Sequence, residues 1–407
     1  MWAADKKCFT RDDFFGGMGT PHTFDPEEDA RLFEQQTFAF KNDLIVLYTF
    51  CCPVENEKPT LGIVVTSRRV FRNAVLAIEG QPDGIVGVTD GTYRLHRGGW
   101  VVVDFGTCCT RHTRNTYAQC FIPFAYLFVR TENIACYKMF FHVVQQGVLE
   151  FFWTPLEVNV GSLDDSDSIK AAILQKWPDI VLTSCWPHVL RGTYKADKLS
   201  KLICREMYKK RIRPHLGMLH SCRTIKQFQA VADMVITDWR SHGEHEYVAG
   251  FEEEYLTDSW CRWFATAADL PGVMPNQNHT EAHHRSIKAS AIISKRASTE
   301  VVLNVSFPRI LVQAGELSGL SDKLRPYCSG PVAGELITRA EILCNNANLK
   351  QLTESEVCLS AVRLVPALWH WPALSHILGS GRCAFPTYRV ASHHHSDCLL
   401  FTKKLQK

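Results

Sequence analysis

Three acidic residues stand where a rigid element could aim them. Asp90 closes the apolar run GIVGVTD, Asp164 closes VNVGSLD, and Glu281 heads the run EAHHRSIK. A carboxylate at a strand end is positioned by the sheet yet open to solvent. Two such groups brought close repel each other unless a cation lies between them. A two-metal phosphoryl-transfer site uses that arrangement: carboxylates hold two Mg²⁺ ions roughly 3.5–4 Å apart, one at the attacking and one at the leaving oxygen. Each acid also has a plainer reading. An Asp after a strand is often a turn residue. Asp164 has Asp165 and Asp167 beside it, as solvated or capping groups would. A Glu in a first helical turn favours the helix dipole with no other role.

A second constellation is Cys185 and His188 in TSCWPHVLRG. A Cys-x-x-His pair resembles half of a zinc site, but structural zinc normally takes four ligands and no second half is in view. The alternatives are a buried thiol with a satisfied histidine, or a pair close to the acids. A Cys-His protease would need an orienting Asn or Asp and an oxyanion hole that nothing here identifies.

Basic residues cluster in two places. After Glu281 come His283, His284, Arg285 and Lys288, of which Arg285 and Lys288 share a helical face. The run KADKLSKLICREMYKKRIRPH (195–215), with Lys209, Lys210, Arg211 and Arg213 near its end, is the strongest local basic footprint. Either could contact DNA phosphates, and either could be a solvated face. Trp260 and Trp263 could stack on an unpaired base, though core packing suits them equally.

These residues need elements to position them. DLIVLYTFCC reads as a strand, and PTLGIVVTSRRVFRNAVLAIEG as a strand and a short amphipathic helix. Three strands are predicted at 84–91, 99–109 and 120–130, rich in β-branched and aromatic residues and spaced for antiparallel hairpins. A helix follows over 131–152, a fourth strand of this series over 156–164, and a helix over 166–177 with Ser166 as N-cap and Pro178 as its stop. A fifth strand spans 179–185. The order is β-β-β-α-β-α-β, then helical patterns over about 195–270 and a helix over 281–296, with weaker patterning beyond about 310.

Composition narrows the class. Of 407 residues, 46% are apolar and 21% charged, as in a globular chain, and the net charge of +3 gives no global basic field. No apolar run is long enough for a transmembrane helix, and MWAADKKCFTRDD lacks the apolar core of a secretory signal. The 16 cysteines, without framework spacing, read as reduced intracellular thiols.

Four blocks occur in one order: GVTDGTYRLHRGGWVVVDFGT, GSLDDSDSIKAAILQKWPDI, CWPHVLR and PNQNHTEAHHRSIK. Together they resemble the DDE-type transposase core of Mutator-like elements, in its oomycete-like form, over about residues 60–310. The resemblance implies an RNase H-like mixed sheet, α/β in class, with an all-helical insertion at about 195–270. Residues 1–60 would be an N-terminal extension and 311–407 a C-terminal region. It implies a metal triad of Asp90, Asp164 and Glu281. Asp164 is preferred to Asp165 because the pattern wants an apolar residue five positions on, here Ile169. Cys185 and His188 would lie close to the triad, with His284, Arg285, Lys288, Lys209, Lys210, Arg211 and Arg213 on DNA. The implied cofactor is two Mg²⁺ or Mn²⁺ ions. The implied partners are terminal inverted repeats, target DNA and further copies of the chain, in the nucleus and away from membranes. Two departures stand out. No N-terminal zinc module occurs in 1–60, and ALSHILGSG places His376 correctly but Leu374 where a Cys is expected; SHHHSDC has the wrong spacing. They favour the rival expectation of a catalytically silent, transposase-derived DNA-binding regulator. A glycosidase would also use paired acids, but the basic run does not suit one.

Overall fold

The computed structural model describes residues 9–16, 25–53, 59–113, 116–163, 166–195, 199–257, 260–270, 272–292, 296–318, 324–327, 338, 349–353 and 356–359. Contacts divide the chain into two units, Met1–Cys328 and Ser329–Lys407. Described in the second is an antiparallel hairpin, Leu349–Thr353 with Glu356–Leu359. Asp164, Asp165, Leu374, His376 and the SHHHSDC segment lie outside the described residues.

The first unit is a mixed α/β structure with a seven-stranded sheet followed by a largely helical region. Its strands are β1 (Ile45–Cys52), β2 (Thr60–Thr66), β3 (Ile85–Thr92), β4 (Val101–Thr113), β5 (Thr116–Val129), β6 (Val158–Leu163) and β7 (Val181–Ser184). Their order across the sheet is β1-β2-β5-β4-β3-β6-β7. β3, β4 and β5 pair antiparallel as a meander, while β6 and β7 join β3 in parallel. Parallel neighbours need crossovers, and helices supply them. Those helices are α1 (Ile134–Phe152) and α2 (Asp167–Lys176).

Both crossover helices begin at the residues their sequence provides. Asn133 accepts the Cys136 N–H at 2.9 Å to start α1, and Ser166 accepts the Ile169 N–H at 3.4 Å to start α2. α1 buries Phe140, Phe141, Val144, Val148, Phe151 and Phe152, the i, i+4 stripe its spacing predicts. Each such side chain contributes roughly 1.5–3 kcal/mol on burial.

Period-two alternation assigns strand residues to faces. On β4, Val101, Val103 and Phe105 join the core beneath α1, whereas Val102 joins the core on the opposite face. On β5, Leu127 and Val129 go with the first group, Tyr126 and Phe128 with the second. Gly106 sits at an irregularity in the β4–β5 register, where a Cβ would lie 2.1 Å from the Ile122 carbonyl oxygen. Only glycine fits so close an approach.

Two features differ from expectation. Residues 45–52, read as part of an extension, form β1 of the main sheet, where their apolar run pairs antiparallel with β2. Weak patterning beyond 310 also hid a helix, Phe307–Ser318, whose Phe307, Ile310, Leu311 and Ala314 pack on the second face.

After β7 in the chain comes the helical region. It contains α3 (Trp186–Lys195), α4 (Arg205–Met207), a π turn over Tyr208–Ile212, α5 (Arg213–His220), α6 (Ile225–Ser241) and α7 (His245–Tyr255). It has its own core, in which Trp239, Tyr247, Phe251 and Trp263 are fully buried. The chain then returns as α8 (Asn278–Ser286), continued by a π turn to Ala291. This helix starts earlier and stops sooner than the predicted 281–296. No helix among the described residues is long and apolar enough to cross a membrane.

Candidate active site at the sheet edge

β3, β6 and β7 run in one direction, so their C-terminal ends share one edge of the sheet. Asp90 stands near the end of β3. On β6, Ser162 pairs with Val88 of β3, and the strand runs on to Leu163. Cys185 follows β7, its N–H donating to the Leu163 carbonyl at 3.1 Å. Asp90 and Cys185 are thus brought to the same edge, at which described β6 also ends.

α8 is tied across that edge. The Gln277 N–H donates to Cys185 Sγ at 3.3 Å, the Gln277 side-chain amide donates to the Ser162 carbonyl, and the Trp186 N–H donates to the Pro275 carbonyl at 2.8 Å. The thiol is therefore a fastener between β7 and α8. His188, one helical turn on, does something else, because its Nε2 lies 3.5 Å from Glu281 Oε1. Arg191, the next turn of α3, donates to the same carboxylate oxygen. So Cys185 and His188 face different partners. No group of three His, Cys, Asp or Glu side chains among the described residues forms a ready metal cage.

Alternation places Asp90 on the face of Val86 and Val88, toward α8, and Asp104 on the face of Val102. The two aspartates are directly opposed across β3 and β4. Like charges in that position destabilise a sheet unless something lies between them. His284 of α8 does: its Nε2 is 2.8 Å from Asp104 Oδ2 and its Nδ1 is 3.4 Å from Asp90 Oδ2. Burial by itself would lower the pKa of His284. The charge of Asp104, its hydrogen bond and the charge of Asp90 outweigh it, and the pKa is raised.

This corrects one expectation and adds one residue. His284 does not share the exposed face of Arg285 and Lys288; it is 7% exposed and locked between two acids, while those two cations point to solvent. The helical period separates them, since His284 shares its side with Ile287, not with Arg285. Asp104, 1% exposed, was not singled out. Its signal was there: a charged residue inside the run VVVDF must either break the strand or find a buried partner.

α8 also carries buried neutral histidines. Burial pushes His279 and His283 down to about 4. The His283 ring lies 3.0 Å from the Tyr126 hydroxyl. Both ring nitrogens of His279, with Thr280 Oγ1, Gln277 Oε1 and Ser162 Oγ, are buried without a hydrogen-bond partner among the described residues.

The basic run is sorted by its neighbours. Arg211 forms a two-pronged pair with Asp238, both contacts 2.6 Å, and Lys210 lies 2.6 Å from Glu206. Lys209 and Arg213 are exposed and form no ion pair among the described residues. Trp263 is a core residue, and Trp260 packs at the edge of the main core with Lys170 over its ring.

No family model matches this chain, and no curated protein matches it significantly.

Proposed function

We propose that the chain is the core of a DDE transposase of the Mutator-like kind, cutting DNA strands and joining them to a target in a metal-dependent reaction. The observation that carries the reading is the docking of α8. It holds Glu281 and, three residues on, the partner of Asp90 over the edge where β3, β6 and β7 end. The sheet order supports it too. A β3-β4-β5 meander with β6 and β7 parallel to β3 is the arrangement expected of an RNase H-like sheet, and the separate helical core between β7 and α8 suits an insertion.

Asp90, Glu281 and Asp164 would hold Mg²⁺ or Mn²⁺, and carboxylate oxygens suit such hard cations. Bound there, the ions would activate the attacking oxygen and stabilise the leaving one. The chain's own groups do the positioning. His188 and Arg191 fix the Glu281 carboxylate, and His284 fixes Asp90. Arg285 and Lys288, exposed on the turns after Glu281, supply cations for the DNA backbone. Water is the nucleophile for cleavage and a 3′-hydroxyl for joining, so no covalent protein nucleophile is needed.

One observation favours a second reading, a DNA-binding regulator without turnover. Asp90 and Glu281 are already engaged by side chains of the chain itself, His284 and Arg191. Plasmid nicking in Mg²⁺, Mn²⁺ or EDTA, beside Asp90→Asn and Glu281→Gln, separates the two. Metal-dependent nicking lost in both variants supports the transposase reading. DNA binding with no nicking by any protein supports the regulator, and equal nicking by all three would sink the site assignment.

A further inference from the structure

We propose that a pocket beside Glu281 receives one unpaired DNA nucleotide, its base against Tyr194 and its phosphate on Lys209 and Arg213. This rests on the DNA-processing reading above and adds to it a place for a distorted strand end.

The pocket, about 200 Å³, lies between α3 and the π turn and is lined by Leu190, Arg191, Tyr194, Tyr208, Lys209 and Arg213. Drug-sized sites are larger, at roughly 300–1,000 Å³; this one suits a single planar ring. Its wall is aromatic and held in place. The Tyr194 and Tyr208 rings are stacked, centroids 4.4 Å apart, and Tyr208 is buried with its hydroxyl 3.3 Å from Thr193 Oγ1. Base–aromatic stacking is tolerant of sequence because every base has a π-face.

The cations are distinctive. Of the four residues Lys209, Lys210, Arg211 and Arg213, the two that form no ion pair among the described residues are the two that line the pocket. Their positive charge is thus available to a phosphate. The chain widens here into a π turn, the Arg213 N–H donating to the Tyr208 carbonyl. The turn ends just ahead of Pro214, whose ring would crowd the Lys210 carbonyl in a straight α-helix. π turns of this kind recur at functional sites. Arg191 joins the pocket to the acids, lining the one and donating to Glu281 in the other. A nucleotide held here therefore lies one side chain from Glu281.

The test is fluorescence titration in EDTA with a short duplex ending in one unpaired 2-aminopurine, beside the same duplex fully paired. Wild type should quench the probe and bind the overhang about tenfold or more tighter than the paired duplex, the range expected of one stacked base. Tyr194→Leu should abolish both effects, and Tyr194→Phe should restore them. Lys209→Ala with Arg213→Ala should weaken binding and lower the salt slope by about one, for the single phosphate the two cations share. A bright probe with equal binding of both duplexes overturns the proposal, as does quenching unchanged in Tyr194→Leu. A free mononucleotide binding as tightly as the overhang would also overturn it, by marking a small-molecule site. The nicking assay stands apart: quenching without nicking removes the catalytic reading and keeps the pocket, and nicking without quenching does the reverse.

Discussion

Acid should unfold this protein through three buried histidines. Burial pushes His215, His279 and His283 each down to about 4. In the unfolded chain a histidine titrates near 6.5. Their folded pKa values are depressed, so the fold favours the neutral rings. Stability is whole above about pH 6.5 and is lost as pH falls toward about 4, because the unfolded chain binds protons first. From about pH 7.5 to about pH 5.5 each group costs about 1.3 kcal/mol, so the three together cost about 4 kcal/mol. That is a large share of the roughly 5–15 kcal/mol that holds a typical domain. His284 works in the opposite sense. Its raised pKa adds stability below the unfolded value and loses it as pH rises through the folded one, which blunts the acid loss. His215 is neutral for a visible reason, since its Nδ1 accepts the Trp239 indole N–H at 2.8 Å. His279 offers the sharper perturbation, because neither ring nitrogen has a hydrogen-bond partner among the described residues. His279→Leu should remove about a third of the acid loss and, by deleting buried unsatisfied atoms, leave neutral-pH stability unchanged or about 1–2 kcal/mol higher. Urea midpoints measured across that pH range read both effects. Midpoints independent of pH, or an acid slope in His279→Leu equal to wild type, would refute the reasoning.

Two other perturbations follow from the packing. Asp104→Asn should destabilise the fold by about 3 kcal/mol, because it takes from the buried His284 ring the carboxylate that its Nε2 meets. Joined to His284→Asn, its cost in thermal unfolding should fall short of the sum of the single costs by about 0.5–3 kcal/mol; strict additivity would break the link drawn between the two residues. Gly106→Ala should cost about 1–3 kcal/mol in chemical denaturation, since its Cβ meets a backbone oxygen that no rotamer change can move. A neutral result would mean that the β4–β5 irregularity is not tight.

The sequence by itself determined the order along the chain of the elements from 84 to 185. Runs such as GIVGVTD and VVVDF are short and rich in β-branched residues, the apolar stripe of 131–152 repeats at helical spacing, and Ser166 announces its helix, so each could be recognised within its own window. It also placed Asp90 at a strand end and Glu281 at the start of a helix. Tertiary structure decided what those residues meet. Asp90 and Glu281 are almost two hundred positions apart, and only the return of α8 over the sheet edge brings both to one helix. The same return buried His284, which its basic neighbours had disguised as a surface residue, and gave Asp104 its ring partner. It likewise took packing between helices to pair Arg211 with Asp238 and leave Lys209 and Arg213 facing a pocket. Periodicity is set by local backbone geometry and survives in a short stretch of sequence, whereas the partner of a charge is set by which distant surface the folded chain lays against it.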